Sequence, residues 1–167
     1  MKVSNSEFIG IGSQLILPIF ESTGKAPNNS LLGLSKSQRN LVKEALSSSE
    51  FDAKKGKKMT VWTPKCNIIL VGMGNKKNLD SELARNTGAR IIATMSKRKG
   101  CDITVRFTKG WSSERMIDFA EGMMLRAYEF LEHQEVPEDH ISTPWEVNYQ
   151  ASNRHQQGLS EGLEKTN

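Results

Sequence analysis

Two segments of the chain are almost continuously apolar, which is the pattern of strands buried on both faces. They are residues 14–20 (QLILPIF) and residues 68–71 (IILV). The second is the best candidate for a central strand, and it runs directly into Gly72, Met73 and Gly74. Because Pro18 has no backbone donor, we expect either a neighbour that does not need this amide or a bulge.

Two further segments alternate between apolar and polar residues, which predicts strands. Residues 57–63 (KKMTVWT) place Met59 and Val61 on one side, and we expect this strand toward a sheet edge. Residues 102–108 (DITVRFT) alternate in the same way, with Ile103, Val105 and Phe107 inward and Thr104, Arg106 and Thr108 outward.

Capping signals and apolar residues at helical spacing predict three helices. Ser35 and Gln38 have the spacing of a capping box, so a short helix should run to about Ser48. Asp80 can cap the second helix, and Ser112 opens the third, which has the strongest pattern. The apolar positions are Leu41, Val42, Ala45 and Leu46 in the first, Ala84, Gly88, Ile91, Ile92 and Met95 in the second, and Met116, Ala120, Met123, Met124, Ala127 and Leu131 in the third.

Strands that alternate with helices predict an α/β fold with a mixed, largely parallel sheet flanked by helices on both faces. Residues 21–33 are rich in turn-forming residues and are typical of a surface loop. Because the regular pattern stops at residue 135, we expect one domain over residues 1–134. Residues 135–167 are interpreted as a polar, acidic tail or linker, loosely held from residue 154 onward.

Composition is consistent with a single soluble domain. The chain has 167 residues, of which 37% are hydrophobic and 25% charged, enough for one core. No run approaches the roughly 18 to 20 apolar residues of a membrane span, and the N-terminal residues lack a signal-peptide pattern. We expect a cytoplasmic protein with no membrane contact.

Charge is unevenly distributed along the chain. Residues 135–167 hold two cations and six anions, which is a net charge of minus four. Because the net charge of the whole chain is plus four, residues 1–134 carry a net charge of plus eight. Such a basic body can meet phosphate through Lys54, Lys55, Lys57 and Lys58 and through Lys97, Arg98 and Lys99. Lysines at an exposed strand edge prevent pairing with other chains, and cations in the last turn of a helix interact favourably with its dipole. These are the simpler reasons for the two clusters, so we expect only weak contact with DNA.

Candidate chemistry is sparse. Gly72-Met-Gly74 between a strand and a helix suggests a dinucleotide-binding turn, but the last glycine of a GxGxxG motif is replaced by Lys77. Glu121 is interpreted as a solvated charge or the partner of a nearby cation. We therefore assign no catalytic and no cofactor-binding residue.

Metal-binding and redox patterns are also missing. The cysteines Cys66 and Cys101 have no CxxC spacing and are expected to be reduced, partly buried thiols. The histidines His133, His140 and His155 have no HxxxH or HxxEH spacing. We assign no metal ligand in this chain.

Three segments, read in order, resemble the N-terminal domain of the leucyl (cytosol) aminopeptidases. They are residues 67–80 (NIILVGMGNKKNLD), 84–97 (ARNTGARIIATMSK) and 119–133 (FAEGMMLRAYEFLEH). The family has a VGLG-like turn followed by Lys and a helix start, and an AEG-x-x-L-x-x-Y-x-F pattern in the domain's last helix. The matches are Val71, Gly72, Gly74, Lys76 and Leu79, and then Ala120, Glu121, Gly122, Leu125, Tyr128 and Phe130. Residues 50–64 also resemble the family's Phe-x-Gly-Lys stretch, so the resemblance covers about residues 13–133.

The resemblance implies a macro-domain-like fold and a parent enzyme that releases N-terminal amino acids from peptides. In the family, two divalent metals (Mn or Zn) and the NTDAEGRL motif belong to a separate C-terminal catalytic domain, and that motif is absent here. The resemblance further implies contacts with the chain's own catalytic domain and with sister subunits of a homohexamer. We expect this chain to be an accessory and assembly domain without aminopeptidase activity of its own. It is either excised from a longer protein or a stand-alone relative, and excision is favoured.

A second class of function stays open at this point. The basic body and the turn at Gly72 to Gly74 are also compatible with a macro-like binding module for ADP-ribose, nucleotide or nucleic acid. Against it, residues 25–33 lack the glycine-rich diphosphate loops that macro domains use.

Overall fold

The computed structural model describes residues 2–3, 13–21, 34–95, 102–107, 110–132, 147–151 and 153–166. In this part of the chain six strands form one sheet: β1 (Lys2–Val3), β2 (Ser13–Ile19), β3 (Lys58–Trp62), β4 (Cys66–Gly72), β5 (Ile103–Arg106) and β6 (Val147–Gln150). Four α-helices accompany them: α1 (Lys36–Ser48), α2 (Ser81–Met95), α3 (Ser113–Glu132) and α4 (Asn153–Thr166). The strand order is β1-β6-β5-β2-β4-β3, and every pairing is parallel except that of β3 with β4. The predicted α/β fold with a mixed, largely parallel sheet is confirmed.

The two apolar segments form neighbouring interior strands. β2 pairs with β4 along its whole length and with β5 over Gln14 to Ile16. β4 lies between β2 and β3, one strand from the edge, so β2 is the more central of the two. The amide of Gln14 donates to Asp102 on the β5 side, and alternation directs position 18 toward that side as well. Pro18 therefore lies beyond the end of the β5 pairing, as its missing amide requires.

The two segments with alternating apolar and polar residues form β3 and β5, and the prediction of a polar, outward face was wrong for β5. β3 is the outer strand of the described sheet, as predicted. In β5 the prediction of an outward, polar face was wrong, because Thr104 and Arg106 are buried at 4% and 9% exposure. Arg106 Nε donates to Gln150 Oε1 on β6 at 2.7 Å, so a hydrogen bond inside the sheet compensates for part of the burial.

The predicted helix starts are confirmed by their caps. Ser35 and Gln38 form the reciprocal capping box of α1. Asp80 accepts the amide of Leu83 at 2.7 Å at the start of α2, and Ser112 accepts that of Arg115 at the start of α3. Within α1, Val42 and Leu46 are buried, whereas Leu41 lies on the exposed side of the predicted stripe. Of the predicted surface loop at residues 21–33, Glu21 is described, and residues 22–33 lie outside the described residues.

The prediction of a polar tail after residue 134 was wrong for its second half. β6 pairs with β1 and β5, and α4 packs against α3. Val147, Tyr149, Leu159 and Leu163 are buried in the main core. Val147 and Tyr149 have strand spacing, and Leu159 and Leu163 have helical spacing, but two apolar residues per element give only a weak periodic signal.

The core has two parts, one on each face of the sheet. On one face, α1 packs on β2, β3 and β4 through a cluster that includes Leu15, Leu17, Ile68 and Leu70. On the other face, α2, α3 and α4 cover the sheet, and Ile16 and Val105 point toward them. The hydroxyl of buried Tyr149 donates to Met123 Sδ at 3.6 Å, and burial raises the pKa of Tyr149.

Membrane insertion finds no support in the helices. Among the described residues, none of the helices combines the length and the apolar character that crossing a bilayer requires.

The first prediction concerns β4. Leu70 is fully buried, so Leu70→Ala should lower the free energy of unfolding by about 2 to 5 kcal/mol, because it leaves a cavity between the sheet and α1. Urea denaturation followed by circular dichroism measures this loss. Leu41→Ala is the matched control and should cost less than about 1 kcal/mol, because Leu41 is 37% exposed. A loss well under 1 kcal/mol for Leu70→Ala would contradict the position of this strand in the core.

Candidate functional site

The turn after β4 is covered by a neighbouring backbone segment. A Cβ on Gly72 would lie 2.2 Å from the carbonyl oxygen of Lys54 and 2.7 Å from that of Ala53, so only glycine allows this approach. Ala53 itself has a φ of 56°. The amide of Lys57 donates to the carbonyl of Lys54 and closes a turn, and Gly56 occupies the third position of that turn with a φ of 83°. Position 74 has a φ of 71°, a left-handed conformation that also favours glycine.

Backbone hydrogen bonds use the amides of this turn. Gly72 donates to Lys57 at 2.8 Å, Met73 to Ile19 at 2.9 Å and Gly74 to Ala53 at 2.9 Å. A dinucleotide-binding turn requires amides that point at the phosphates. Here the three amides are satisfied by the fold, so the glycines serve close packing.

Aromatic side chains fill the crevice between the carboxyl ends of β2 and β5. The chain leaves these adjacent strands toward opposite faces of the sheet, to α1 and to α3, and ligands of open α/β sheets bind at such a point. Phe20 follows β2 and Phe107 follows β5, and their ring centroids lie 5.6 and 5.0 Å from that of Trp111. Trp111 is only 3% exposed. These three aromatic side chains therefore fill the part of the crevice that the described residues form.

The Ala-Glu-Gly segment of α3 forms the contact with α2. A Cβ on Gly122 would lie 2.0 Å from the carbonyl oxygen of Arg85, and a Cβ on Gly88 would lie 2.1 Å from that of Phe119. Ala120, the first residue of the Ala-Glu-Gly segment, is fully buried. Two glycines on facing helices thus allow the backbones to approach closely, and the motif has a structural explanation.

An ionic network crosses the same contact. Arg85 on α2 binds Asp118 and Glu121, each at 2.9 Å, and Arg115 binds Asp118 and Ser81. Glu121 is therefore the partner of a cation, one of its two predicted roles, and its carboxylate raises the pKa of Arg85 mainly through a hydrogen bond. Sequence reasoning missed Asp118, although its i,i+3 spacing from Arg115 was a usable signal.

A groove of about 610 Å³ lies between α2 and the β3–β4 edge of the sheet. Ile69 and Val71 line it from β4, and it contains Lys55, Lys58 and Arg90. These three cations have no ion-pair partner among the described residues, whereas Lys54 is paired with Asp52 at 2.7 Å and lowers the pKa of that carboxyl. Two of the predicted lysines therefore join Arg90, which the sequence did not single out, in one groove, and Asp80 and Glu82 line the same groove. The second basic cluster, residues 97–99, lies outside the described residues.

The described thiol and imidazole groups, those of Cys66 and His155, do not lie together in a catalytic arrangement. Cys66 is a buried free thiol, as predicted, and Cys101, His133 and His140 lie outside the described residues. His155 Nδ1 is 3.1 Å from Ser113 Oγ and ties α4 to the start of α3. Across the described residues, no three side chains of His, Cys, Asp or Glu lie close enough to share a metal ion. The family's two metals therefore have no fitting donor set in the described residues.

One protein family and several solved structures resemble this chain. The family model for the N-terminal domain of the cytosol aminopeptidase family matches residues 16–136. A mutant of tomato leucine aminopeptidase has a similar structure, with a TM-score of 0.65 and 19% identity over 97% of this chain and 34% of that chain. The bottromycin maturation enzyme BotP matches at a TM-score of 0.48 and 15% identity, over 91% of this chain and 30% of its own. A search of characterised protein sequences found no match.

The fold and the family match define the class of the protein. The chain is an α/β domain whose glycine-rich motifs serve packing. It belongs to the N-terminal domains of the cytosol aminopeptidase family. It spans about a third of the length of the tomato enzyme.

The second prediction tests the helix contact. Gly122→Ala should destabilise the domain by about 1 to 3 kcal/mol, because the methyl group meets the rigid backbone of α2. Gly158→Ala on α4 is the matched control, since its Cβ would meet the Ser113 side chain at 3.2 Å and alanine favours a helix by about 1 kcal/mol. Thermal unfolding compares the two variants. If Gly122→Ala is as stable as Gly158→Ala, the helices do not approach as described.

Proposed function

We propose that this chain is the N-terminal accessory and assembly domain of a leucyl-type aminopeptidase and that it carries no catalytic metal site itself. The observation that supports this most strongly is the family match over residues 16–136 in a chain that corresponds to only a third of the tomato enzyme. The parent protein would be a hydrolase that removes N-terminal amino acids from peptides.

The described residues support an architectural role. The glycine turn, the Ala-Glu-Gly segment and the ionic network of Asp118 are all occupied by contacts inside the domain. Such peptidases use metal-bound water to attack an amide at neutral pH. In our proposal the two divalent metals, Mn or Zn, belong to a separate catalytic domain of the parent.

The proposal extends to partners and location. The domain would contact its own catalytic domain and sister subunits of a cytoplasmic homohexamer. The groove with Lys55, Lys58 and Arg90 supports at most weak contact with DNA, because Asp80 and Glu82 line it too and exposed cations alone give sequence-independent binding. A macro-like module for ADP-ribose is not favoured, because the amides of Gly72, Met73 and Gly74 are already used.

The third prediction concerns activity. The purified chain should not cleave a leucine amide with added manganese or zinc, because the proposal assigns the metal ligands to another domain. A chromogenic leucine amide assay measures this, with EDTA and a repeat purification as contaminant controls. Metal-dependent cleavage that copurifies with the chain would overturn the proposed role.

The fourth prediction separates the proposal from the binding module. Calorimetry with ADP-ribose should give no measurable heat of binding, and duplex DNA should bind only at about 10⁻⁴ to 10⁻⁶ M with a steep decrease as salt rises. The matched variant for ADP-ribose is Gly74→Leu. Saturable micromolar binding of ADP-ribose that Gly74→Leu abolishes would favour the binding module instead.

A further inference from the structure

The groove between α2 and the β3–β4 edge has an apolar floor. Ile69 and Val71 line it from β4, and Leu83, Ile91 and Met95 line it from α2. Each of the five keeps 5 to 7% of its surface exposed. The groove volume of about 610 Å³ lies within the range of about 300 to 1,000 Å³ that small-molecule sites occupy. The floor can therefore bury the apolar groups of a ligand of that size.

A polar stripe of α2 forms one rim of this groove. Glu82, Asn86 and Arg90 follow one another at intervals of four residues, so they lie on one side of the helix. All three are exposed and line the groove. Asn86 Nδ2 donates to Glu82 Oε1 at 3.4 Å, and neither Glu82 nor Arg90 has an ion-pair partner among the described residues. The stripe therefore presents a carboxylate at one end and a guanidinium at the other.

Further charged side chains lie near both ends of the stripe. Arg90 Nη1 would lie 3.8 Å from a Cβ on Gly56, so the guanidinium reaches the turn that precedes β3. Lys55 in the same turn and Lys58 at the start of β3 also line the groove. Asp80 lines it immediately before α2. Three cations thus share one part of the groove, and two carboxylates lie at the start of α2.

We propose that this groove binds a short peptide with free termini, three or four residues long, with its ammonium group at Glu82 and its carboxylate at Arg90. Arg90 follows Glu82 by eight residues, which is about 12 Å along a helix. An extended peptide spans about 3.3 to 3.6 Å per residue, so three or four residues bridge this distance. Side chains of the peptide would lie on the apolar floor. The inference goes beyond the proposed architectural role and does not depend on it.

The charge pattern favours this ligand over other classes. A nucleic acid or a polyphosphate would meet the cations, but the carboxylates of Asp80 and Glu82 would repel it. An uncharged apolar ligand would leave both sets of charges unused. A peptide with free termini can form charge-assisted hydrogen bonds, which are the stronger ones, at both ends. Between them, the side-chain amide of Asn86 can hydrogen-bond a peptide group.

Calorimetry with trileucine tests the site. Trileucine with free termini should bind saturably, with a Kd below about 1 mM. N-acetyl-trileucine and trileucine amide each lack one terminal charge and should bind at least about ten-fold more weakly. Dileucine is too short to reach both ends and should bind as weakly as these two. An acetylated peptide that binds as tightly as trileucine would reduce the groove to a simple anion site and overturn the proposal, as would trileucine that does not bind.

Paired variants test the orientation of the peptide by NMR titration. Glu82→Gln should weaken the binding of trileucine and its amide and leave N-acetyl-trileucine unchanged, because that peptide has no ammonium group. Arg90→Gln should weaken the binding of trileucine and N-acetyl-trileucine and leave the amide unchanged. Arg39→Gln and Glu44→Gln are the matched controls, since both residues are exposed on α1, and they should change no affinity.

The same titrations define the contrary result. If Glu82→Gln weakens all three peptides alike, or if the α1 controls lose as much affinity, the peptide does not lie between Glu82 and Arg90. Thermal unfolding checks that each variant remains folded. None of these measurements uses peptidase activity, so failure here would reject the groove as a peptide site and leave the aminopeptidase assignment to its own tests.

Discussion

The close approach of the Ala53 to Gly56 backbone to the end of β4 is the contact on which the sheet's carboxyl edge depends. Gly72 has no Cβ, so the carbonyls of Ala53 and Lys54 can enter the space that a side chain would fill. Gly56 donates to Gly72, and Gly74 donates to Ala53. Together with the bonds from Met73 to Ile19 and from Glu21 to Gly74, these contacts join the ends of β2, β3 and β4.

This closure explains why a glycine turn that resembles a nucleotide-binding turn serves packing in this domain. A phosphate site at a strand end needs free amides and open space. Here three amides of the turn are occupied, and in the next crevice Trp111 contacts both Phe20 and Phe107. Charged side chains line a different feature, the groove between α2 and the β3–β4 edge, which contains Lys55, Lys58 and Arg90 together with Asp80 and Glu82.

The elements that sequence reasoning located are those whose signals are local. Continuous apolar runs identified β2 and β4, and Ser35, Asp80 and Ser112 marked helix starts because each caps within three residues of itself. β6 and α4 were missed because their burial depends on distant partners. Tyr149, for example, is buried against α3, and Gly162 faces Ile117 of α3. β1 was also missed, because two residues carry no periodicity.

At the candidate site, too, the sequence indicated local features but not the contacts between distant segments. The sequence identified the Gly72 to Gly74 turn and the lysines, but not where the amide protons of the turn point. Thr104 and Arg106 alternate as outward residues would, yet both are buried on the sheet face. Only the register of β5 with β6, which brings Arg106 to Gln150, explains how a guanidinium is accommodated there.

Amide hydrogen exchange by NMR tests the structural role of the glycine turn most directly. The amides of Gly72, Met73 and Gly74 are expected to be protected nearly as strongly as those in the centre of β4, because each is bonded to a carbonyl of an adjoining segment. The amide of exposed Lys65, which has no hydrogen-bond acceptor among the described residues, provides the fast reference within the same sample. Rapid exchange at Met73 and Gly74, at the rate of that reference, would contradict the account and leave the turn free to bind a ligand.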